Sequence, residues 1–313
     1  MGFRLKKSQT LFVISIILFI MIFFTPDLNR LDLELKYAAS PSQFILVNGL
    51  RVHYRDTGDR FAKKTVVLLH GFGSSLQTWD EWASVLDNDY RVIRLDLAGF
   101  GLTGASPDNN YSDEADVARL FNFLEKINVQ NFVLVGHSMG GRIAWNFAST
   151  YPERIVGLAL LAPDGFPAPG QAIGTKPYDA GPLANLLKYF MPKFLIKKSL
   201  EPAFFDPSFI SDNLLDRYYD MLRAPTVRAA ILDRMSQTIT IDPVAKLRKI
   251  TSPTLLLWGE RDQMIPASNS ADYKRVLSNA RIIILPKASH LLQEENAQAS
   301  LASFKEFVSS LSK

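Results

Sequence analysis

The stretch Asn131-Phe132-Val133-Leu134-Val135-Gly136-His137-Ser138-Met139-Gly140-Gly141 decides how this chain folds around one residue. Residues 131–135 are typical of a buried strand, and the pattern Gly-x-Ser-x-Gly follows at once. Residues 142–148 then have helical spacing. Glycines on both sides of the serine allow close backbone packing at a sharp turn. The pattern therefore predicts a nucleophilic Ser138 at a helix N-terminus, and the alternative is a glycine-rich turn without a chemical role.

A serine nucleophile needs a base, and the chain contains four histidines. His290 follows the apolar stretch 281–285 and a short loop late in the chain, which makes it the predicted base. A surface loop histidine is the alternative for His290. The other three are expected elsewhere: His53 as a cross-strand or surface residue, His70 as a brace for its loop, and His137 with its side chain turned away from the nucleophile.

The histidine needs a carboxylate that holds its tautomer, and two aspartates compete for this role. Asp262 follows the apolar stretch 254–258 and lies 28 positions before His290. Gly259 supplies a turn that brings this loop back over the strand ends, so Asp262 is the predicted acid. Asp164 also follows an apolar strand and is the second choice, whereas Glu260 is expected to be a solvated neighbour.

Two backbone N–H groups are expected to stabilise the oxyanion that such a nucleophile generates. One belongs to Met139, directly after Ser138. The other belongs to Phe72 in the loop His70-Gly71-Phe72-Gly73, where the glycines let the backbone turn toward the site. An ordinary strand-to-helix loop is the alternative for this stretch.

From about residue 43 to the C-terminus, the chain resembles the α/β-hydrolase fold superfamily. The matching segments are His70-Gly71-Phe72-Gly73, Asp96-Leu97-Ala98-Gly99-Phe100-Gly101-Leu102-Thr103, residues 136–141, Trp258-Gly259-Glu260-Arg261-Asp262 and Ser289-His290. The resemblance implies an α/β fold with a mostly parallel eight-stranded sheet, helices on both faces and a helical lid after the sixth strand. It is strongest to monoacylglycerol lipases, carboxylesterases and carbon-carbon bond hydrolases. Haloalkane dehalogenases and epoxide hydrolases use an aspartate where this chain has Ser138, so the resemblance excludes those two classes. Ser289 departs from the family's usual glycine.

The predicted domains are a linker at residues 28–42, a hydrolase core at residues 43–164 and 246–313, and a lid at residues 165–245. In the lid an apolar stripe with helical spacing is interleaved with lysines, and it comprises Leu183, Leu186, Leu187, Phe190, Met191, Phe194 and Leu195. The stripe indicates core packing over the site, with contact to an anionic membrane as the alternative. Residues 217–223 form a second predicted lid helix that lines the pocket.

The N-terminal residues 1–27 are predicted to form an uncleaved signal anchor. Arg4, Lys6 and Lys7 precede the apolar stretch 11–24, and no charge occurs between Lys7 and Asp27. Those 19 positions would span roughly 28 Å as a helix, close to a hydrocarbon core of about 30 Å. The basic residues before the span predict a single-pass protein with its catalytic domain on the extracytoplasmic side.

Composition adds several expectations. The chain has 313 residues, no cysteine and a net charge of +4. No metal-ligand spacing or phosphate-binding glycine loop occurs, so no metal or cofactor is expected, and no nucleic acid is expected as a partner. The expected activity is hydrolysis of a lipophilic carboxylic ester. The alternatives are carbon-carbon bond hydrolysis of vinylogous diketones and a ligand-binding protein with little turnover.

Overall fold

The computed structural model describes residues 7–167, 172–174, 181 and 185–311. Eight strands form one sheet in the order β1-β2-β4-β3-β5-β6-β7-β8. Their bounds are β1 Ser42–Val47, β2 Leu50–Thr57, β3 Thr65–Leu69, β4 Arg91–Leu95, β5 Phe132–His137, β6 Ile155–Leu161, β7 Thr254–Gly259 and β8 Ala280–Leu285. β2 pairs antiparallel with β1 and β4, while all other neighbours pair parallel. The predicted eight-stranded α/β sheet is confirmed, as a mixed sheet.

Twelve α-helices accompany the sheet in the described residues. They are α1 Lys7–Phe23, α2 Arg30–Tyr37, α3 Asp80–Leu86, α4 Asp113–Lys126, α5 Met139–Thr150, α6 Lys193–Leu200, α7 Asp212–Leu222, α8 Val227–Gln237, α9 Val244–Leu247, α10 Asn269–Val276, α11 Leu292–Glu295 and α12 Ala297–Ser310. Short 3₁₀ turns lie at Leu76–Trp79, Pro152–Arg154, Asn185–Lys188, Glu201–Ala203 and Pro207–Phe209.

The central strands are apolar because both faces of the sheet are covered. Val66 and Leu68 of β3 pack into one hydrophobic cluster, with residues of α3 and α12. Val67 and Leu69 pack into the cluster on the other face, with residues of α4 and α5. Since successive side chains of a strand point to opposite faces, a strand covered on both sides is a continuous apolar run. This is why the central strands could be located from the sequence.

The chain between β6 and β7, residues 162–253, is here called the insertion. Its described residues contain helices α6 to α9 and 3₁₀ turns but no strand. The apolar stripe of the predicted lid does not form one helix: Leu186 and Leu187 lie in the turn Asn185–Lys188, whereas Phe194 and Leu195 lie on α6, which begins after Pro192. Phe190 and Met191 lie between the two elements. Leu183 of that stripe lies outside the described residues. The second predicted lid helix corresponds to α7. The predicted domain limits, and the role of the insertion as a lid, stay predictions.

The prediction of a membrane anchor is wrong. Helix α1 has 17 residues, and within the described part of the chain no helix combines the length and the apolar character that a bilayer crossing requires. The prediction treated the whole uncharged stretch as helix, whereas α1 ends at Phe23. Thr25 is held by two hydrogen bonds to the insertion. Its N–H donates to the Tyr189 carbonyl, and the Arg228 guanidinium donates to the Thr25 carbonyl. The predictions of a single-pass topology and of an extracytoplasmic catalytic domain depended on this anchor and are wrong with it.

The segment predicted as a linker contains α2. The side chain of Asn29 caps this helix by accepting from the Leu31 N–H at 2.8 Å. At its other end Lys36 and Tyr37 both donate to the carboxylate of Asp220 on α7, each at 2.8 Å. Residues 28–42 are thus attached to the insertion by side-chain hydrogen bonds.

Candidate active site

Ser138 lies on the sharp turn between β5 and α5. Its backbone is in an unusual conformation, with φ 53° and ψ −119°, as expected for a strained strand-to-helix turn. The Ser138 N–H donates to the carbonyl of Leu161 in the neighbouring strand β6 at 2.9 Å. Positions 136 and 140 have no room for a side chain. A Cβ atom on Gly136 would lie 2.3 Å from the Gly140 carbonyl oxygen, and a Cβ atom on Gly140 would lie 2.4 Å from the His70 carbonyl oxygen. The predicted turn geometry is therefore present around the predicted nucleophile.

His290 is brought to the same place by the loop after β8. Its Nδ1 lies 2.8 Å from Oδ2 of Asp262, and both side chains are almost fully buried. The other oxygen of Asp262 accepts the N–H groups of Met264 and Ile265, each at 2.8 Å, which orients the carboxylate. A carboxylate at Nδ1 requires the proton there, so Nε2 is free to accept one.

The three acids weighed from the sequence occupy different surroundings. Asp262 contacts His290. Asp164 lies 3.6 Å from the guanidinium of Arg142, and 42% of its side chain is exposed. Glu260 is about half exposed and lies 3.9 Å from Arg261. Of these three carboxylates, only that of Asp262 is in a position to orient the histidine.

Phe72, one predicted oxyanion donor, lies in the loop after β3, and Met139, the other, directly follows Ser138. Phe72 lines the same cavity as Ser138, and Gly73 after it has φ 68°, a conformation that glycine adopts without strain. Met139 is the first residue of α5. The roles of these two N–H groups, like those of Ser138, Asp262 and His290, stay predictions.

The remaining histidines are all buried. His53 has no exposed surface, its Nδ1 lies 2.7 Å from Asp96, and its ring stacks on Phe44 of the paired strand β1. It is therefore a cross-strand residue and not a surface one. His70 braces its loop as expected, because it accepts the Leu97 N–H at Nε2 and donates to the Gly71 carbonyl from Nδ1. Burial lowers the pKa of His70, so it is neutral.

His137 has a supporting position that the sequence did not indicate. Its Nε2 lies 2.9 Å from the backbone carbonyl of His290, and the two rings lie 4.6 Å apart between centroids. Burial, together with the neighbouring His290, lowers the pKa of His137 well below its ordinary value. A neutral His137 therefore donates its Nε2 proton to the His290 carbonyl. The sequence feature that could have suggested this supporting role is the position of His137 directly before Ser138.

Backbone and side-chain hydrogen bonds also join the His290 loop to the insertion. The N–H groups of His290 and Leu291 both donate to the carbonyl of Ala203 at 3.0 Å. The carboxylate of Glu295 accepts the N–H groups of Ser289 and of Phe205 in the insertion. Burial raises the pKa of Glu295. The insertion thus helps to hold the histidine loop, a contact that no local pattern predicts.

Ser289, the departure from the family's glycine, is fully buried. Its hydroxyl lies 3.1 Å from the Pro202 carbonyl and 3.2 Å from the Arg261 carbonyl. It therefore links the histidine loop to the insertion or to the loop of Asp262. The substitution leaves the contact between His290 and Asp262 intact.

Ser138 and His290 open into one cavity of about 290 Å³, here called the catalytic cavity. Most of its lining is apolar and comes from the insertion and the strand-end loops. The described residues that line it are Phe72, Gly73, Ser74, His137, Ser138, Ile196, Ser199, Leu200, Ala203, Tyr218, Leu222, Met264, His290 and Leu291. None of these carries a permanent charge.

Comparison with known proteins places this arrangement in a family. The chain is 31% identical to Epoxide hydrolase 4 of Homo sapiens over 271 residues, 79% of this chain and 73% of that protein. It is 30% identical to the 2-hydroxy-6-oxononadienedioate/2-hydroxy-6-oxononatrienedioate hydrolase of Paraburkholderia phymatum, over 80% and 88% of the two chains. The crystal structure of a membrane phospholipase A, a bacterial virulence factor, superposes with a TM-score of 0.74 at 26% identity, covering 86% of each chain. The family model of the alpha/beta hydrolase fold matches residues 64–297, and the chain belongs to this family.

Proposed function

We propose that this hydrolase cleaves neutral, lipophilic carboxylic esters through a covalent acyl-enzyme on Ser138. The observation that carries the proposal is that His290, paired with Asp262, lines the same apolar cavity as Ser138, and that no described residue lining this cavity carries a permanent charge. Such a cavity accommodates an uncharged acyl or alkyl group, and the triad supplies a nucleophile and a base.

The geometry supports the following sequence of steps. The Ser138 hydroxyl attacks the ester carbonyl while its proton passes to Nε2 of His290, and Asp262 stabilises the resulting imidazolium. The N–H groups of Phe72 and Met139 bind the oxyanion. His290 then protonates the departing alcohol, which leaves the acyl group on Ser138. Water attacks this ester as His290 takes its proton, and the collapse of the second intermediate returns that proton to Ser138 and releases the acid.

Carbon-carbon bond hydrolysis is the second candidate, because a relative of that kind is 30% identical. The name of that relative describes its substrate as a dicarboxylate. Burying a carboxylate is unfavourable without a cationic partner, and the described lining of the catalytic cavity contains no lysine or arginine. Arg217 lies behind the wall and is paired with Glu294 at 2.5 Å. This distribution of charge favours a neutral ester over a dicarboxylate.

The 31% identity to Epoxide hydrolase 4 does not favour epoxide opening by this chain, because position 138 is serine. An aspartate that opens an epoxide forms an ester, which water can cleave at its carbonyl. A serine that opened an epoxide would form an ether, which has no carbonyl for water to attack. The chemistry of Ser138 therefore favours acyl transfer.

The proposal is tested with p-nitrophenyl esters of graded acyl length, using the full chain and the variant Ser138→Ala. We expect turnover that peaks at one acyl length and falls at least a thousandfold in the variant, since triad members act as a unit. A fluorophosphonate should label the unchanged protein at Ser138 and leave the variant unlabelled. Equal turnover in both proteins would refute Ser138 as the nucleophile. Labelling without any ester turnover would refute the ester substrate and turn attention to vinylogous diketones.

A further inference from the structure

Among the described residues, three hydroxyl groups line the catalytic cavity besides that of Ser138, and they differ in their hydrogen bonds. Ser199 donates to the carbonyl of Ile196 in its own helix at 2.8 Å. Ser74 and Tyr218 instead face each other, with 3.5 Å between Oγ of Ser74 and the phenol oxygen. Hydroxyl groups that bond directly are usually 2.7–2.8 Å apart, so this contact lies at the outer limit of a hydrogen bond.

The phenol of Tyr218 is held in place by a buried polar network behind the cavity wall. It donates to Oε1 of Glu294 at 2.8 Å, and the same carboxylate accepts from Thr78 and Arg217, each at 2.5 Å. Gln293 in turn donates to the Thr78 hydroxyl at 3.0 Å. Because the phenol proton points at Glu294, the phenol oxygen has acceptor capacity left toward Ser74. Burial, with Glu294 alongside, raises the pKa of Tyr218, so the phenol keeps its proton.

Ser74 has the complementary capacity. Its side chain is almost fully buried, and among the described residues its hydroxyl makes no hydrogen bond besides the long one to Tyr218. Hydroxyl groups in an apolar cavity are unfavourable unless they bond to something. The pair therefore offers one donor, on Ser74, and one acceptor, on Tyr218. A hydroxyl group of a bound molecule satisfies both, since it accepts one hydrogen bond and donates another.

The position of Ser74 limits where that hydroxyl lies on the substrate. Ser74 comes two residues after Phe72, the predicted oxyanion donor, so their Cα atoms are at most about 7 Å apart. A group that reaches the pair while its ester carbonyl lies beside Phe72 is only a few bonds from the ester. An alkyl chain farther out would meet the apolar lining instead.

We propose that Ser74 and Tyr218 form a subsite that selects esters with a free hydroxyl group within a few bonds of the scissile bond. The inference rests on the proposed ester hydrolysis and specifies its substrate class. A glycerol-type alcohol carries such a hydroxyl, and so does a 3-hydroxyacyl group. The shared chemistry is a neutral hydroxyl that bridges the Ser74 donor and the Tyr218 acceptor.

The test compares matched esters with and without the hydroxyl. The first pair is 2,3-dihydroxypropyl butyrate and propyl butyrate, which places the hydroxyl on the alcohol side. The second pair is methyl 3-hydroxybutyrate and methyl butyrate, which places it on the acyl side. The readout is the ratio of kcat/KM within each pair, measured for the unchanged protein and for Ser74→Ala, Tyr218→Phe and Tyr219→Phe. Tyr219 is the control, since it lies next on α7 and does not line the cavity.

We expect the unchanged protein to prefer the hydroxylated ester in one of the two pairs, and that pair identifies the side of the ester. Ser74→Ala and Tyr218→Phe should each lower the ratio by about three- to tenfold, the range of one neutral hydrogen bond, and Tyr219→Phe should leave it unchanged. Ser74→Ala keeps the bond between Tyr218 and Glu294, so it decides the question if Tyr218→Phe does not fold. Hydrolysis with ratios that neither variant alters would mean that the pair holds only water and would overturn the inference. Hydrolysis of none of the four esters by a protein that cleaves p-nitrophenyl butyrate would also overturn the inference, whereas failure on the whole p-nitrophenyl series would overturn the proposed function itself.

Discussion

The catalytic cavity and a second cavity of about 170 Å³ lie next to each other at the turn of Ser138, and they differ in the use of their polar side chains. Ser138 lines the first, and the next residue, Met139, lines the second. The second cavity is rich in charged groups, among them Asp113, Asp116 and Asp164 together with Arg142 and Arg234. Polarity alone therefore does not mark a substrate site.

In the second cavity both arginines are paired with carboxylates in two-pronged contacts. Arg142 donates to both oxygens of Asp113 at 2.7 and 2.9 Å, and Arg234 donates to both oxygens of Asp116 at 2.6 and 3.0 Å. These ion pairs bridge α5 to α4 and α8 to α4. These charges stabilise the packing of the helices, and the paired guanidinium groups have little hydrogen-bonding capacity left for a ligand. The catalytic cavity has few polar groups, and its hydroxyl pair retains hydrogen-bonding capacity.

The largest expected effect is on kcat, which should respond to a substitution beside the catalytic cavity and not to the matched substitution in the second cavity. Asp262→Asn removes the charge that orients His290 and should lower kcat by about 10³–10⁴-fold, as loss of the triad acid does in serine hydrolases. Asp164→Asn is the matched change in the second cavity and should alter kcat less than threefold, because Asp164 faces Arg142. Both variants are compared on the best p-nitrophenyl ester. A larger loss in Asp164→Asn than in Asp262→Asn would reverse the assignment of the acid.

An intermediate effect should separate them by stability. Arg234→Met leaves the buried Asp116 with only its longer contact to Arg119 at 3.4 Å, and it should lower the free energy of unfolding by about 3 kcal/mol, the lower end of the range for a broken buried ion pair. Urea denaturation measures this change, and kcat per fluorophosphonate-labelled site should stay within threefold. The double variant Arg234→Met/Asp116→Asn should recover part of the loss, since no uncompensated charge remains. A tenfold fall in kcat at unchanged stability would show that this ion pair serves catalysis.

The smallest effect is a pH dependence of unfolding that arises from His137. Its folded pKa is lowered well below 6.5 by burial, so unfolding takes up a proton as the pH falls below about 6.5. The free energy of unfolding should therefore decrease toward acid by about 1.4 kcal/mol per pH unit from this residue, with no contribution well above pH 6.5. His70 adds a slope of the same sign, and Glu295, whose pKa burial raises, adds one of opposite sign.

The variant His137→Gln isolates the contribution of His137 to the pH dependence of unfolding, because His70 and Glu295 are present in both proteins. A glutamine can still donate to the His290 carbonyl. The free energy of unfolding is measured by urea denaturation between pH 5 and 7.5. Below about pH 6.5 its slope against pH should correspond to about one proton fewer in the variant. Identical slopes would mean that His137 is not the group that takes up the proton.

Elements whose evidence is local were predicted correctly. The strand before Ser138, the glycines around it and the helix after it occupy consecutive positions, and each follows from sterics or from burial on both faces of the sheet. His70 could be assigned to its loop for the same reason. The two aspartates were harder, since Asp164 and Asp262 both follow apolar strands, and the contact to His290 is what distinguishes them.

The N-terminal prediction failed because hydropathy reports the character of a stretch and not where its helix ends. The chain leaves the helical conformation at Phe24, and Thr25 and Asp27 are bound by the insertion through Tyr189 and Arg228. Those partners lie more than 160 positions away in the chain. The end of α1 is therefore followed by tertiary hydrogen bonds that the local pattern does not contain, and Pro26 is a local feature that disfavours a longer helix.

The sequence by itself determined the hydrolase fold and the strand-turn-helix of Ser138, and it predicted the order of nucleophile, acid and histidine, because these depend on neighbouring residues and on strand ends that a parallel sheet brings to one edge. Only the tertiary structure decided that Asp262 holds His290, that His137 and Glu295 support the histidine loop, and that the hydroxyls of Ser74 and Tyr218 face each other in an apolar cavity. Apart from the bond between Glu295 and Ser289, which are six positions apart, these contacts join residues at least 28 positions apart in the chain. The positions of such residues relative to one another depend on how the insertion and the strand-end loops pack, and local sequence does not encode that packing.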